Sequence, residues 1–375
     1  MDHSIANDGD PVTYVEFYAG IGGWTMALQQ ALQNVAPKRR LKRLAALDHS
    51  DLCLSVLQHN YPSKTMSTVS IEGLSLEHLH HWKATIFVLS PPCQPHTRQH
   101  ENQKQELKDP RSKSFLHLCN LLEQMEESNL PRLLLMENVV GFESSASCQR
   151  WREVVKSRKY HVGHFHLTPT QVGIPNDRPR YYCVAVRFPN KLSTHVQLET
   201  NLQAPPIIQT ALWEGQNVVL PPISEFLEDN VDKESLRIPN KLLESRAAWC
   251  FDIVTPQDRR SACFTQSYGK FIRGTGSVLW TGDENTRMFQ LVPPEEREFH
   301  DNWNEGLNLK ENLRYFSGRE VARLMGFPLE SFSFPADCSL KQQWKLLGNS
   351  LNVQVAAGVT QMGLRLMIDS IYGND

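Results

Sequence analysis

The run Ser90-Pro91-Pro92-Cys93-Gln94-Pro95 holds the side chain best suited to chemistry in this sequence. Proline fixes φ and has no N–H, so the segment is stiff and continues neither helix nor sheet. The apolar run Ile86-Phe87-Val88-Leu89 before it reads as a short buried strand. The Cys93 thiol is therefore expected at a strand's C-terminal end, where open α/β sheets bind ligands. Met136-Glu137-Asn138-Val139 follows another apolar strand and would bring a carboxyl group to the same edge. A thiol nucleophile beside an acid suits attack on an electron-poor ring. A thiol with a pKa of about 8.5 is only a few per cent thiolate at neutral pH, so cations must help. Arg98, Arg178 and Arg180 are the candidates. In Asn176-Asp177-Arg178-Pro179-Arg180, two arginines at i and i+2 of an extended chain are expected to point to one side and jointly hold an anion or a base edge. The plainer readings are an inert buried cysteine, a strand-end carboxylate and solvated arginines.

A second constellation precedes it. Phe17-Tyr18-Ala19-Gly20-Ile21-Gly22-Gly23 follows the strand-like Val12–Phe17 and opens a helix from Trp24 to Gln33. Glycines admit positive φ and close backbone approach, and a helix N-terminus offers free N–H groups, which suits a nucleotide-like cofactor. Asp48, at the end of the strand Leu44–Leu47, could bind ribose hydroxyls. The glycines alone would also fit a packing turn. Leu347-Gly348-Asn349-Ser350-Leu351-Asn352-Val353 reads as a helix start with Asn/Ser caps.

These residues need a scaffold. From Thr13 to Arg187 strands and helices alternate, which implies a parallel, doubly wound sheet covered on both faces. From about Pro189 to Glu311 the pattern dissolves into Pro-Pro pairs and scattered Gly, read as a small separate domain. A helix over Gly318–Met325, ended by Gly326-Phe327-Pro328, and a terminal helix over Asn352–Ile368 restore regularity.

Composition sets outer bounds. The chain has 375 residues, 40% hydrophobic and 21% charged, as in soluble globular proteins, with no apolar run of membrane-spanning length. The start Met1-Asp2-His3-Ser4 has no signal-peptide pattern, so a cytoplasmic or nuclear location is expected. Eight cysteines without a C-x-x-C pair indicate neither a zinc ribbon nor a dithiol redox site. His164 and His166, alternate on a strand, would need further ligands to bind metal, so no metal is expected. A net charge of −2 excludes coating nucleic acid by bulk electrostatics but leaves room for a local basic groove.

Taken together, Phe-x-x-Gly-x-Gly-Gly, Pro-Pro-Cys-Gln-Pro, Glu-Asn-Val, the Arg178/Arg180 pair, Arg319-Glu320-x-x-Arg323-Leu324-Met325-Gly326-Phe327-Pro328 and Gly348-Asn349-Ser350 resemble the successive blocks of the cytosine-5 methyltransferase family. Cys263-Phe264-Thr265, with Tyr268-Gly269 and Gly274-Thr275-Gly276-Ser277-Val278, resembles the target-recognition signature of its Dnmt2-type transfer-RNA branch. The resemblance implies a Rossmann-like methyltransferase sheet with a small target-recognition domain. Residues 1–188 and 312–375 would form the catalytic domain and 189–311 the small one. It implies S-adenosyl-L-methionine as donor, S-adenosyl-L-homocysteine as product, and C5 of a tRNA cytosine as target, cytosine 38 of the aspartate tRNA anticodon loop. By this likeness Cys93 attacks C6, Glu137 donates to N3, and Arg178 and Arg180 orient the base through O2. The donor would lie over Phe17, with Ile21, Gly22 and Gly23 near its methionine portion. Asp48 would hold its ribose, Ile71 and Glu72 its adenine, and Ser90, Asn349 and Ser350 would close the pocket. Arg98, Cys263, Thr265, Lys270 and Arg273 are the expected substrate contacts, with Arg259 and Arg260 nearby as phosphate candidates. Cys263 fits packing better than chemistry. A monomer acting on tRNA is expected, away from membranes. The alternatives are a DNA cytosine-5 methyltransferase and a catalytically silent nucleic-acid-binding member.

Overall fold

A computed structural model describes residues 10–63, 65–67, 69–92, 112–187, 197–199, 206–212, 218–283 and 308–372, the side chains of Ser67 and 368–372 excepted. The chain forms two compact units, one of Met1–Leu167, Pro179–Gln216 and Val353–Asp375, the other of Thr168–Arg178 and Asn217–Asn352. The expected divisions after 188 and 311 therefore differ from the observed ones. The second unit also takes Thr168–Arg178, and the chain returns to the first only at Val353.

The first unit is built on a sheet of eight strands among the described residues: β1 (Val12–Phe17), β2 (Leu41–Leu47), β3 (Met66–Ser67), β4 (Ile86–Leu89), β5 (Leu133–Val139), β6 (Tyr160–Leu167), β7 (Arg180–Arg187) and β8 (Ile208–Gln209). Their order is β3-β2-β1-β4-β5-β7-β6-β8. The central strands are near-continuous apolar runs because both faces are covered. The sheet is parallel except at β7, which runs antiparallel to both β5 and β6. Strand–helix alternation predicts a wholly parallel sheet, but a Tyr/Val-rich strand has the same composition in either direction.

Helices α1 (Gly23–Val35), α2 (Asp51–Asn60), α3 (Leu76–Trp82), α4 (Lys113–Gln124) and α5 (Ala146–Ser157) connect these strands. Successive side chains of β1 serve opposite faces. Val15 and Phe17 enter a core with Phe115, Leu118, Cys148 and Trp151 of α4 and α5. Tyr14 and Glu16 face Thr25 of α1, at 2.8 Å and 2.5 Å.

The second unit has a small sheet of β9 (Asp252–Val254), β10 (Ser277–Trp280) and β11 (Leu313–Arg314), in the order β11-β10-β9. Around it lie short helices α6 (Asn240–Leu243), α7 (Leu309–Asn312), α8 (Gly318–Leu324) and α9 (Leu340–Asn349). Phe264, Tyr268, Tyr315, Phe316 and Trp344 form its aromatic core. The motif that begins at Arg319 proves largely structural. Buried Glu320 accepts two hydrogen bonds of 2.8 Å from Arg314 and closes a capping box with Ser317.

The last helix, α10 (Val353–Tyr372), returns to the first unit and packs on α1, β5 and β7. Gly363 permits this approach, since a Cβ there would sit 2.9 Å from Leu133 Cδ1. Among the described residues no helix is long and apolar enough to cross a membrane.

Candidate active site

Three parallel strands share one register, and β1 and β4 end in it. Phe17 pairs with Leu89, and Leu89 with Met136. The glycine turn and the Ser90-Pro91-Pro92 segment therefore leave the sheet beside Glu137, which lies within β5 and pairs with Tyr182. Cys93 and Arg98 lie outside the described residues. The approach to Cys93 is clamped from both sides. Ser90 Oγ accepts from Trp24 Nε1 at 3.0 Å, and the Ser90 N–H donates to Phe17 O at 3.4 Å. Asn138 Nδ2 donates to Pro91 O at 3.2 Å, and Asn138 is 2% exposed. Each clamp joins residues far apart in sequence, so neither is visible in the sequence.

The glycine turn is braced by two acids. Asp48 Oδ2 accepts the Gly20 N–H at 2.8 Å and its Oδ1 the Ser50 N–H at 2.9 Å. A carboxylate has about four acceptor sites, so further lone pairs remain for a ligand's hydroxyls. Glu16, with no exposed surface, accepts the Trp24 N–H at 3.2 Å and the Thr25 hydroxyl at 2.5 Å, capping α1 from inside the fold. Burial pushes its pKa from the ordinary 4.5 up to about 7, against the lowering effects of the Thr25 hydrogen bond and Arg43. The sequence reading leaves Glu16 as a strand residue and no more. The signal that could have found it is an acid in an otherwise apolar strand immediately before a glycine turn. Gly22, at φ 87°, caps α1, and a Cβ there would lie 2.6 Å from Leu57 Cδ1. At Gly20, φ 52°, the place of a Cβ is open space.

The expected place for Phe17 needs correction. Its ring is fully buried against Phe87, at 5.1 Å, and Trp82, at 6.4 Å, so only its backbone can meet a ligand. The part-exposed aromatic at the turn is its neighbour Tyr18, held at φ 57° with its hydroxyl 3.1 Å from Ser114 Oγ. Burial raises the Tyr18 phenol well above its ordinary pKa, with smaller contributions from Cys119 and Glu72. Phe17 is the last residue of β1, so the side chain that follows it, at the start of the turn, is Tyr18. Ile21 and Gly23 are buried in the turn. Ile71 and Glu72 form a single 3-10 turn, Ile71 buried and Glu72 exposed.

Glu137 is 9% exposed, and its Oε1 lies 3.4 Å from Arg180 Nε. The two arginines hold different partners. Arg180 belongs to the first unit. Arg178 belongs to the second, where its guanidinium donates to the carbonyls of Phe264 (2.7 Å), Gly348 (3.0 Å) and Ser350 (2.6 Å) and meets Cys263 Sγ at 3.2 Å. Arg178 thus ties the Cys263-Phe264-Thr265 segment to the end of α9, which carries exposed Asn349 and half-buried Ser350. Gly348 makes the same junction possible, since a Cβ there would overlap the backbone of Thr265 and Gln266. Thr265 donates its N–H to Thr275 O at 2.9 Å, and Lys270 and Arg273 are exposed on the loop between them. Arg259 donates to Leu220 O, and Arg260 lies 3.8 Å from Asp177.

His164 and His166 have protein partners. His164 Nδ1 is 2.6 Å from the Tyr181 hydroxyl, and His166 Nε2 is 3.0 Å from Glu143. Among the described residues no group of His, Cys, Asp and Glu could hold a metal ion.

Comparison with known proteins agrees with this arrangement. Residues 12–362 match the family described as C-5 cytosine-specific DNA methylase. Over 93% of its length the chain is 32% identical to a tRNA (cytosine(38)-C(5))-methyltransferase of Bos taurus, covering 98% of that protein. The Homo sapiens protein of the same description gives the same figures. Among solved structures, a mutant form of Spodoptera frugiperda DNMT2 superimposes with a TM-score of 0.76 at 31% identity, over 94% of this chain and 99% of that one.

Proposed function

This chain belongs to the cytosine-5 methyltransferase family, in its Dnmt2 branch, and on that ground we propose that it methylates C5 of a tRNA cytosine, cytosine 38 of an anticodon loop, using S-adenosylmethionine. The observation that carries the reading is the shared register of Phe17, Leu89 and Met136, which delivers glycine turn, Pro-Pro segment and glutamate to one edge.

The residues at the turn fit the donor. Gly20 leaves open space, Gly22 supports a left-handed turn, and Asp48 keeps acceptor capacity for ribose hydroxyls. Tyr18 stands at the turn, and Ile71 and Glu72 would meet the adenine. When bound, the sulfonium supplies an electrophilic methyl group. Cytosine C5 is too weak a nucleophile to take it unaided. The Cys93 thiolate adds to C6, Glu137 holds a proton at N3, and the electron density released into the ring reaches C5. After C5 has gained its methyl carbon its proton passes to water, the C6–S bond breaks, and the thiolate is restored. Arg180 holds the Glu137 carboxyl in place for this exchange. A cytosine in a loop leaves its stack at lower cost than one in a duplex, where flipping takes a few kcal/mol. The target-recognition loop around Lys270 and Arg273 supplies phosphate contacts.

Transfer of labelled methyl groups to tRNA and to duplex DNA, measured side by side, tests this reading. Incorporation into tRNA, mapped to one anticodon-loop cytosine and lost in Cys93→Ala, is expected. Equal labelling of DNA would reject the RNA assignment.

A further inference from the structure

Among the described residues, one large aromatic side chain is exposed. Phe271 shows 58% of its surface, whereas the other phenylalanines, tyrosines and tryptophans described are buried or half-buried. A solvated phenyl ring needs an explanation when the same loop buries Tyr268 and Ile272.

The loop holding it is closed by its own hydrogen bonds. The Phe271 N–H donates to Ser267 O at 3.2 Å, and its carbonyl accepts the Thr275 hydroxyl at 2.7 Å. Gly269 and Gly274 bracket it at φ 73° and 69°, and a side chain at Gly269 would strike Trp344. The ring is thus presented by a hydrogen-bonded frame and does not dangle from a tail. Its chain neighbours include two cations. Lys270 Nζ stands 5.3 Å from the ring centroid, and Arg273 is exposed two residues on.

An exposed aromatic ring with cations beside it suits single-stranded nucleic acid, the cations meeting phosphates and the ring a base. A protein partner's apolar surface would be a poor match for the flanking charges. We infer that Phe271 is a base-stacking platform, which takes an unpaired nucleobase of the RNA while Lys270 and Arg273 hold the adjoining phosphates. This rests on the proposed RNA substrate and adds to it a residue outside the methyl-transfer chemistry.

The test uses the full chain with Phe271→Leu, Phe271→Trp and Lys270→Ala, a tRNA transcript, and the matching anticodon stem-loop. At constant salt, Phe271→Leu should weaken binding and raise KM by about tenfold, the usual scale for one lost stack, with kcat little changed. Phe271→Trp should bind at least as well as the parent. Lys270→Ala should flatten the salt dependence of binding, whereas Phe271→Leu should leave that slope unchanged. If the parent methylates tRNA but Phe271→Leu matches it in KM, stacking is overturned and the RNA reading survives. If the parent neither binds nor methylates tRNA, both fail. A 2-aminopurine scan of the loop should find one position quenched by the parent and not by Phe271→Leu. Quenching equal in both would also refute the platform.

Discussion

Glu16 shows how much one buried residue can govern. The folded protein holds its proton more tightly than the unfolded chain does. Its contribution to stability is therefore full below pH about 4.5 and is lost as pH rises towards 7. Above that range the ionised carboxyl costs the fold about 3 kcal/mol. Glu16→Gln keeps an acceptor for the Trp24 N–H, so its stability relative to the parent should rise between pH 5 and pH 8, measured by urea unfolding at each pH. Glu199 gives the opposite slope. Burial raises its pKa, but hydrogen bonds from His164, the Ile207 N–H and Arg152 outweigh this and hold it at about 2. Its stabilisation is present above about pH 4.5 and fades as pH falls towards 2, so Glu199→Gln should lower Tm more at pH 7 than at pH 3. Gly348 is a third such position. Alanine is the better helix former, yet Gly348→Ala should destabilise by about 1–3 kcal/mol because its methyl group overlaps the Thr265 and Gln266 backbone. Comparing urea midpoints of variant and parent checks the sign.

At the scale of single elements, the clamps on the Ser90–Pro92 segment matter most. Asn138→Ala removes the bond to Pro91 O and leaves the strand pairing of β5 intact. It should lower kcat by about 10- to 100-fold with Tm changed little, since small misplacements of a reacting group have costs of that size. Single-turnover methyl transfer and a thermal melt separate the two effects. Asp48→Ala removes the acceptor for two turn N–H groups and should weaken donor binding, read by calorimetry with S-adenosylhomocysteine. The turn, its acid and the strand ends are all legible in the sequence, because each is local and has a fixed composition. What is not legible depends on partners distant in the chain. The Trp24 bond to Ser90 and the Asn138 bond to Pro91 leave no mark on spacing. Arg178 and Arg180 look like a pair because alternation predicts direction, but the carbonyls that capture Arg178 come from residues 86 and 170 positions away. The glycine motif is aligned on its phenylalanine and so points to Phe17, although Phe17 is the last residue of the strand and Tyr18 the first of the turn.

For the molecule as a whole, the alternation of strands and helices predicts an α/β sheet, and the sheet is there. Its one reversed strand, β7, is not legible because pairing direction is set by the connections, not by residue type. The connection concerned is the segment Thr168–Arg178, which leaves the first unit after β6 and rejoins it just before β7. The terminal helix has a larger consequence. Gln30 of α1 and Gln354 of α10, 324 residues apart, share a hydrogen bond of 2.7 Å, and α10 covers the face of the sheet that α1 covers. While the chain is being made, the nascent sheet has an uncovered apolar flank until the codons of α10 have been translated. An uncovered apolar flank of this kind is prone to aggregation. A premature stop after Asn352 should therefore leave a product that is degraded or insoluble, even though every motif needed for the reaction has already been synthesised.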